Sequence, residues 1–212
     1  MKHLSFWFDP VSPYAYLAFE QLPNALEGLS YEVTYRPVLF AGMLRHWGQK
    51  GPAEIEPKRA WTFRQVHWLA HRLNIPIDTP AEHPFNPLAY LRLLLSTAMP
   101  GSTPNRLACE LVLRQIWRGG HSANDPARLA ALTTMLAPRV PPDDATVKLA
   151  LRHATDAALD AGIFGVPTLE VDGRTFWGLD ALPMARDYIA RDPWFDGPAW
   201  SREGAPRAGV IR

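Results

Sequence analysis

Ser12 and Pro13 are the residues of this chain best placed to handle an anion. The apolar run Leu4–Phe8 reads as a strand, Asp9-Pro10-Val11 as a turn, and the pattern from Pro13 onward as a helix. Serine is a favoured N-cap and proline a favoured first helical residue. The first turn of a helix presents unpaired N–H groups and partial positive charge. A negatively charged atom beside Ser12 is stabilised by those groups and by the hydroxyl. Taken alone, the pair serves as well for a plain helix cap.

A second segment, Gly165–Asp180, bears on the choice. Two short β-rich runs flank Asp172-Gly173, a strong hairpin signal. Val166-Pro167 stands at the entrance of the first run, and an X–Pro bond adopts the cis form at a cost of only about 0.5–1 kcal/mol. In that form the Val166 N–H and C=O turn outward and can pair with an extended peptide-like ligand by strand addition. Sequence leaves the isomer open. After the hairpin, Gly178-Leu179-Asp180 leads into the helical pattern Ala181–Ala190. Asp180 is either the cap of that helix or a carboxylate for a ligand ammonium group.

The elements that must hold these groups can be read along the chain. Leu4–Phe8 and Tyr31–Val38 form strands joined by the helix Tyr14–Leu26, which places them parallel through a right-handed crossover. From residue 40 to about 161 there is little strand signal. Helical stretches follow at Ala60–Leu73, Leu88–Ala98, Asn105–Trp117 opened by Thr103-Pro104, Ala127–Leu136 opened by Asp125-Pro126, and Asp143 to about Asp160, ended by Gly162. Five helical segments thus interrupt a β-α-β half and a β-β-α half. The stripe Trp61, Val66, Trp68, Leu69 and Leu73 is expected to face a core. Residues 192–212 are too rich in Pro and Gly for a regular element, yet Trp194 and Trp200 suggest that they pack.

Composition narrows the class. At 212 residues the chain can bury one large domain with an insertion. A formal charge of +1 with interleaved signs argues against nucleic acid or a polybasic membrane surface. No apolar run approaches the ~18 residues of a membrane span. The N-terminal residues Met1–Leu4 run straight into the first strand, with no leader pattern. Cys109 is the one cysteine, set in an apolar helical pattern and read as a core residue in a reducing, cytoplasmic protein. His67 and His71 have metal-ligand spacing on one helix but no third ligand nearby, so no metal is expected.

In thioredoxin-type disulfide oxidoreductases the strand–turn–helix beginning at Phe6 carries a C-x-x-C whose first cysteine is activated by the helix start. Here those two positions are Ser12 and Ala15, so the thiol must come from elsewhere. The ordered set F-x-F-D-x-x-S-P-Y-x-Y-L-A (Phe6 to Ala18), F-G-V-P-T (Phe164 to Thr168) and D-G-x-x-F-W-G-x-D (Asp172 to Asp180) resembles the 2-hydroxychromene-2-carboxylate isomerases and their relatives, the kappa-class glutathione transferases. The resemblance covers nearly the whole chain apart from the C-terminal tail. It implies an α/β protein: a discontinuous thioredoxin-like domain (1–39 and 162–191), a large α-helical insertion (40–161) and an irregular tail (192–212).

The resemblance further implies a bound glutathione with Ser12 beside its sulfur as the catalytic group. Pro13, Tyr14, Gln49, Val166, Pro167, Leu179 and Asp180 would complete the cofactor site. Where the family has a Gly-Asn-Lys-Pro-Pro-like stretch, this chain has Gly48-Gln49-Lys50-Gly51-Pro52; Gln49 keeps the amide and adds a methylene. Phe8 and Trp177, at strand ends, and the basic residues Lys50, Lys58 and Arg59 are the substrate-pocket candidates, for a flat aromatic carboxylate. The implied reaction interconverts 2-hydroxychromene-2-carboxylate and trans-o-hydroxybenzylidenepyruvate in naphthalene-type aromatic catabolism, with a homodimer as the expected assembly. A kappa-like transferase or peroxidase shares the same thiolate site. A non-catalytic thioredoxin-like binding module is the reading from a different class.

Overall fold

Strand β1 (Lys2–Phe8) is the centre of the sheet, and its alternation decides which side each residue serves. The computed structural model describes residues 1–99 and 101–201. Helix α1 (Pro13–Ala25) returns the chain to β2 (Tyr31–Pro37), which pairs parallel with β1 from Lys2↔Tyr31 to Phe8↔Pro37. Much later, β3 (Thr168–Val171) adds antiparallel to the other side of β1, with Trp7 opposite Thr168. The hairpin partner β4 (Arg174–Trp177) completes the order β2-β1-β3-β4. Asp172 and Gly173 both have positive φ, 51° and 74°, the conformation a two-residue hairpin requires.

The two faces of the sheet are served differently. Leu4, Phe6, Phe8, Leu169, Val171 and Phe176 join one large core with α1, the helical insertion and α8 (Leu182–Ile189). Trp7, on the opposite face, joins a smaller core with Val38, Met43, Ala158, Ile163 and Val166. This is the α/β thioredoxin-like architecture with a helical insertion between strands that the sequence predicts.

The insertion holds more helix than the periodicity shows. Helix α2 (Phe40–His46) carries no clear sequence signal, because it is short and no side chain of its own caps it. A 3-10 turn at Pro52–Glu54 leads to α3 (Glu56–Leu73), which starts before Ala60 because Pro57 is tolerated in a first turn. On α3 the buried residues are Val66 and Ala70, whereas Trp61 and Trp68 are 63% and 57% exposed. The expected apolar stripe is therefore only partly the core face, and Arg72 lies over the exposed Trp68 ring. Helices α4 (Leu88–Thr97), α5 (Arg106–Trp117), α6 (Pro126–Leu136) and α7 (Ala145–Asp160) follow. The capping oxygens of α5, α6 and α7 come from Asn105, Asp125 and Asp144, so the cap of α5 lies two residues beyond Thr103 and that of α7 one residue beyond Asp143. Glu20 on α1 takes a bidentate pair from Arg114 at 2.7 and 2.9 Å, and one bond from Arg118 at 3.1 Å, which ties α5 to the helix that carries Ser12.

The tail is less irregular than its composition suggests. Pro193–Asp196 and α9 (Pro198–Ser201) are short helical turns. The Trp200 ring lies parallel to Phe176 at 6.0 Å, and Phe195 is buried beside it. That packing is on Phe176 of β4 and Tyr188 of α8. Residues 202–212 of the tail lie outside the described residues. Among the described residues no helix is long and apolar enough to cross a membrane, and no three His, Cys, Asp or Glu side chains converge. His67 instead bonds Thr79 at 2.9 Å, and Cys109 is fully buried, which pushes its thiol pKa far up.

Candidate functional site

The turn after β1 is held by all of its neighbours. The Ser12 N–H donates to the Asp9 carbonyl at 3.0 Å, and Ser12 Oγ accepts from the Ala15 N–H at 3.2 Å. Ser12 is thus the N-cap of α1, with Pro13 buried in its first turn. The Pro10 carbonyl accepts from Trp117 Nε1 at 2.9 Å, and the Val11 carbonyl meets His83 Nε2 at 2.8 Å. A carbonyl only accepts, so His83 carries its proton on Nε2. Burial, and then the nearby Arg59 charge, hold the His83 pKa below its usual value.

The Val166 segment closes on the same spot. Ser12 Oγ lies 3.5 Å from the Val166 carbonyl oxygen, a long contact that leaves the hydroxyl able to turn to another acceptor. The Val166–Pro167 bond is cis. Among the described residues the Val166 N–H makes no hydrogen bond. The Gly178 N–H donates to the Pro167 carbonyl at 2.9 Å, so the turn at Gly178 is joined to this segment. Leu179–Ala181 is a 3-10 turn, with Leu179 buried and Asp180 exposed. Asp180 does not cap α8, whose N-cap is Ala181 without a side-chain bond, and its carboxylate accepts no hydrogen bond among the described residues. Gly178 has φ +99°, and a Cβ there would stand 2.4 Å from Asp180 Oδ1. Glycine is what lets the carboxylate fold back over the turn.

Tyr14 projects from the first turn of α1 toward α3, where its hydroxyl donates to Gln65 Oε1 at 2.6 Å. Its pKa is raised, chiefly by burial, with the Asp180 charge adding to the effect. Ser12, Tyr14, Val166 and Asp180 are therefore brought together at the end of the sheet where the central strand β1 stops. Gln49, Lys50, Lys58 and Arg59 are exposed beyond α2 and in the first turn of α3, and Gln49 is held by its backbone to Leu44 at 2.8 Å. Trp177 is 54% exposed, packed on Gly165 and edge-on to Phe164 at 4.9 Å. Phe8 must be corrected: it is fully buried, stacked on Phe6, because strand alternation turns it into the large core.

One further residue at this site, Asp9, lies in the first motif but is not singled out by it. Asp9 is fully buried, and its carboxylate accepts from Val11 N–H and Phe40 N–H, both at 2.9 Å. Burial pushes its pKa up to about 7 against the lowering effect of both bonds. An aspartate two residues before an accepted N–H is an Asx turn, a local signal that Asp9-Pro10-Val11 displays. The bond to Phe40 has no sequence signal.

Comparison with known proteins identifies the family and supports the fold. Residues 3–190 match the family described as the DSBA-like thioredoxin domain. The chain belongs to that family. Among curated relatives, it is 27% identical to glutathione S-transferase kappa 2 of Caenorhabditis elegans, over 98% of each chain. It is 26% identical to 2-hydroxychromene-2-carboxylate isomerase of Sphingobium xenophagum, over 89% of this chain and 98% of that one. Among solved structures, a 2-hydroxychromene-2-carboxylate isomerase superposes with a TM-score of 0.75 at 20% identity, covering 89% of this chain and 95% of that one.

Proposed function

We propose that this protein is a glutathione-dependent isomerase of the 2-hydroxychromene-2-carboxylate type. The observation that carries the proposal is the meeting of Ser12 Oγ with Val166 at the start of a cysteine-free helix, beside an unpaired Asp180. These groups fit glutathione. The free Val166 N–H matches the peptide part, Asp180 matches the ammonium group, and Ser12 with the first N–H groups of α1 matches a thiolate. The relatives named above, a glutathione transferase and an isomerase, support the same reading.

Bound glutathione supplies a nucleophilic thiol whose reversible addition to a conjugated double bond permits rotation before elimination. The residues of this chain orient and charge-balance that chemistry. Ser12 turns its O–H from the Val166 carbonyl to the sulfur and favours the ionised form. Val166 fixes the cysteinyl backbone and Asp180 the far end. Lys50, Lys58 and Arg59 attract the substrate carboxylate, and Trp177 with Phe164 offers a surface for a flat ring. Leu179, buried in the core, anchors the 3-10 turn that carries Asp180. Exposed Trp61 and Trp68 support a homodimer as the assembly, which light scattering would measure.

The test is turnover of 2-hydroxychromene-2-carboxylate with a trace of glutathione. Many turnovers per glutathione with no loss of total thiol are expected. Stoichiometric thiol loss, or brisk conjugation of a chloronitrobenzene without isomerisation, would establish the transferase instead. The transferase reading has the near-complete coverage of the kappa relative in its favour.

A further inference from the structure

Asp9 stands where two pieces of the site meet. Its Oδ1 accepts the Val11 N–H, inside the turn that ends on Ser12. Its Oδ2 accepts the Phe40 N–H, the first N–H of α2. Helix α2 has no cap of its own, since Leu39 offers no side-chain acceptor. The Asp9 carboxylate therefore acts as the missing cap from 31 residues away in the chain. Helix α2 runs directly into Trp47, Gly48, Gln49 and Lys50. The family resemblance puts Gln49 of this arm in the glutathione site, so the position of α2 sets the position of Gln49.

We propose that Asp9 is a positioning residue, a latch whose ionised carboxylate holds the α2 arm and the Ser12 turn as one rigid ligand cradle. This deepens, and rests on, the glutathione reading of the site. A carboxylate accepts both N–H groups strongly, whereas in a protonated carboxyl one oxygen carries the proton and becomes a much weaker acceptor, so one of the two N–H groups is held only weakly. Release of either N–H frees the arm from the turn. Because burial lifts the Asp9 pKa to about 7, this change falls in the neutral range.

The neighbours of Asp9 do not mimic the effect. Its shift arises from burial and the Val11 and Phe40 bonds, with no side-chain charge contributing. From the insertion, His83 reaches the Val11 carbonyl rather than the carboxylate, and its pKa is depressed by burial and Arg59. From β2, Arg36 lies over Trp7 and bonds Ser5. On α2, Arg45 and His46 sit in the last exposed turn, at the end opposite Phe40. Helix α7 presents Thr155, which is neutral and bonds the Leu39 N–H at 3.0 Å.

The experiment uses S-methylglutathione, which has no ionisable thiol, and the full chain. Its affinity for the wild-type protein is expected to fall on acidification below neutrality, by at most about tenfold per pH unit for one linked proton. Asp9→Asn should bind more weakly at pH 8 and show no such pH dependence. Phe40→Pro, which removes the N–H at a helix position that tolerates proline, should weaken binding relative to Phe40→Ala, which keeps it. A wild-type affinity that is flat across neutrality, or an Asp9→Asn variant that keeps the wild-type slope, overturns the latch. Hydrogen-exchange protection of Phe40–Leu44 without ligand separates the two ideas. Its loss in Asp9→Asn supports the latch even if S-methylglutathione never binds, and unchanged protection overturns it whatever binds.

Discussion

Asp9→Asn should leave the fold more stable above neutrality while leaving it weaker at its task. The wild-type carboxyl has a pKa of 3.8 when unperturbed and about 7 when folded. The folded protein therefore binds more protons than the unfolded chain between those values, and stability falls as pH rises through that window. A shift of about three units corresponds to roughly 4 kcal/mol, from about 1.4 kcal/mol per unit. That stability is fully present in acid and absent above pH 7. Asparagine resembles the protonated acid in carrying no charge and in having one strongly accepting oxygen beside a donating group. The variant should match wild type near pH 4 and exceed it progressively up to neutrality. Between pH 5 and pH 8 the difference between the two proteins should grow by roughly 3 kcal/mol. Urea unfolding followed by tryptophan fluorescence at both pH values measures it, and contributions of other carboxylates cancel in the comparison. A difference that is the same at pH 5 and pH 8 would show that Asp9 does not titrate near neutrality, and would refute the reasoning.

Three further outcomes are expected. Ser12→Ala should return the thiol of bound glutathione toward its free acidity, read from thiolate absorbance against pH; equal acidity in both proteins would remove Ser12 from thiolate stabilisation. Asp180→Asn should weaken glutathione binding by about 1.5–3 kcal/mol, the worth of a charge-assisted bond, with little change in thermal stability because Asp180 caps nothing; calorimetric titration that finds unchanged affinity would dissociate Asp180 from the ligand. Gly178→Ala places a Cβ 2.4 Å from Asp180 Oδ1 at φ +99°, so affinity should fall as in Asp180→Asn and stability by about 1–3 kcal/mol; an alanine variant with wild-type binding and melting would contradict the close approach.

The stability cost and the function of Asp9 explain one another. A buried charge held by two backbone N–H groups is a poor way to stabilise a fold, and an effective way to fix two segments in register. Such local expense belongs to sites that must be held in place. The same logic separates Asp9 from Glu20. Burial opposes ionisation of Glu20 too, but Arg114, Arg118 and Arg106 more than offset it, and its pKa is lowered. Glu20 therefore contributes stability above the ordinary carboxylate range, lost as pH falls through its folded value.

Several features were legible because their causes are local. Ser12-Pro13 announces a helix start through capping and a fixed φ. Asp172-Gly173 announces a hairpin because both residues accept positive φ. Alternation and 3.6-residue periodicity gave the strands and most helices of the insertion, and three separated motifs gave the family. Other features depend on which segments meet. Phe8 reads as a pocket residue at a strand end, yet the side it faces is decided by packing on Phe6. Trp61 and Trp68 share a helical stripe with Leu69, but only the placement of α3 leaves them in solvent. Helix α2 is too short to declare itself and forms where a carboxylate from the Ser12 turn caps it. Asp180 could cap or bind until the 3-10 turn at Leu179–Ala181 left its carboxylate unpaired. Sequence determined the residues with local conformational preferences; tertiary structure decided the long-range hydrogen bonds, because a donor and acceptor far apart in the chain have no pattern until the fold brings them together.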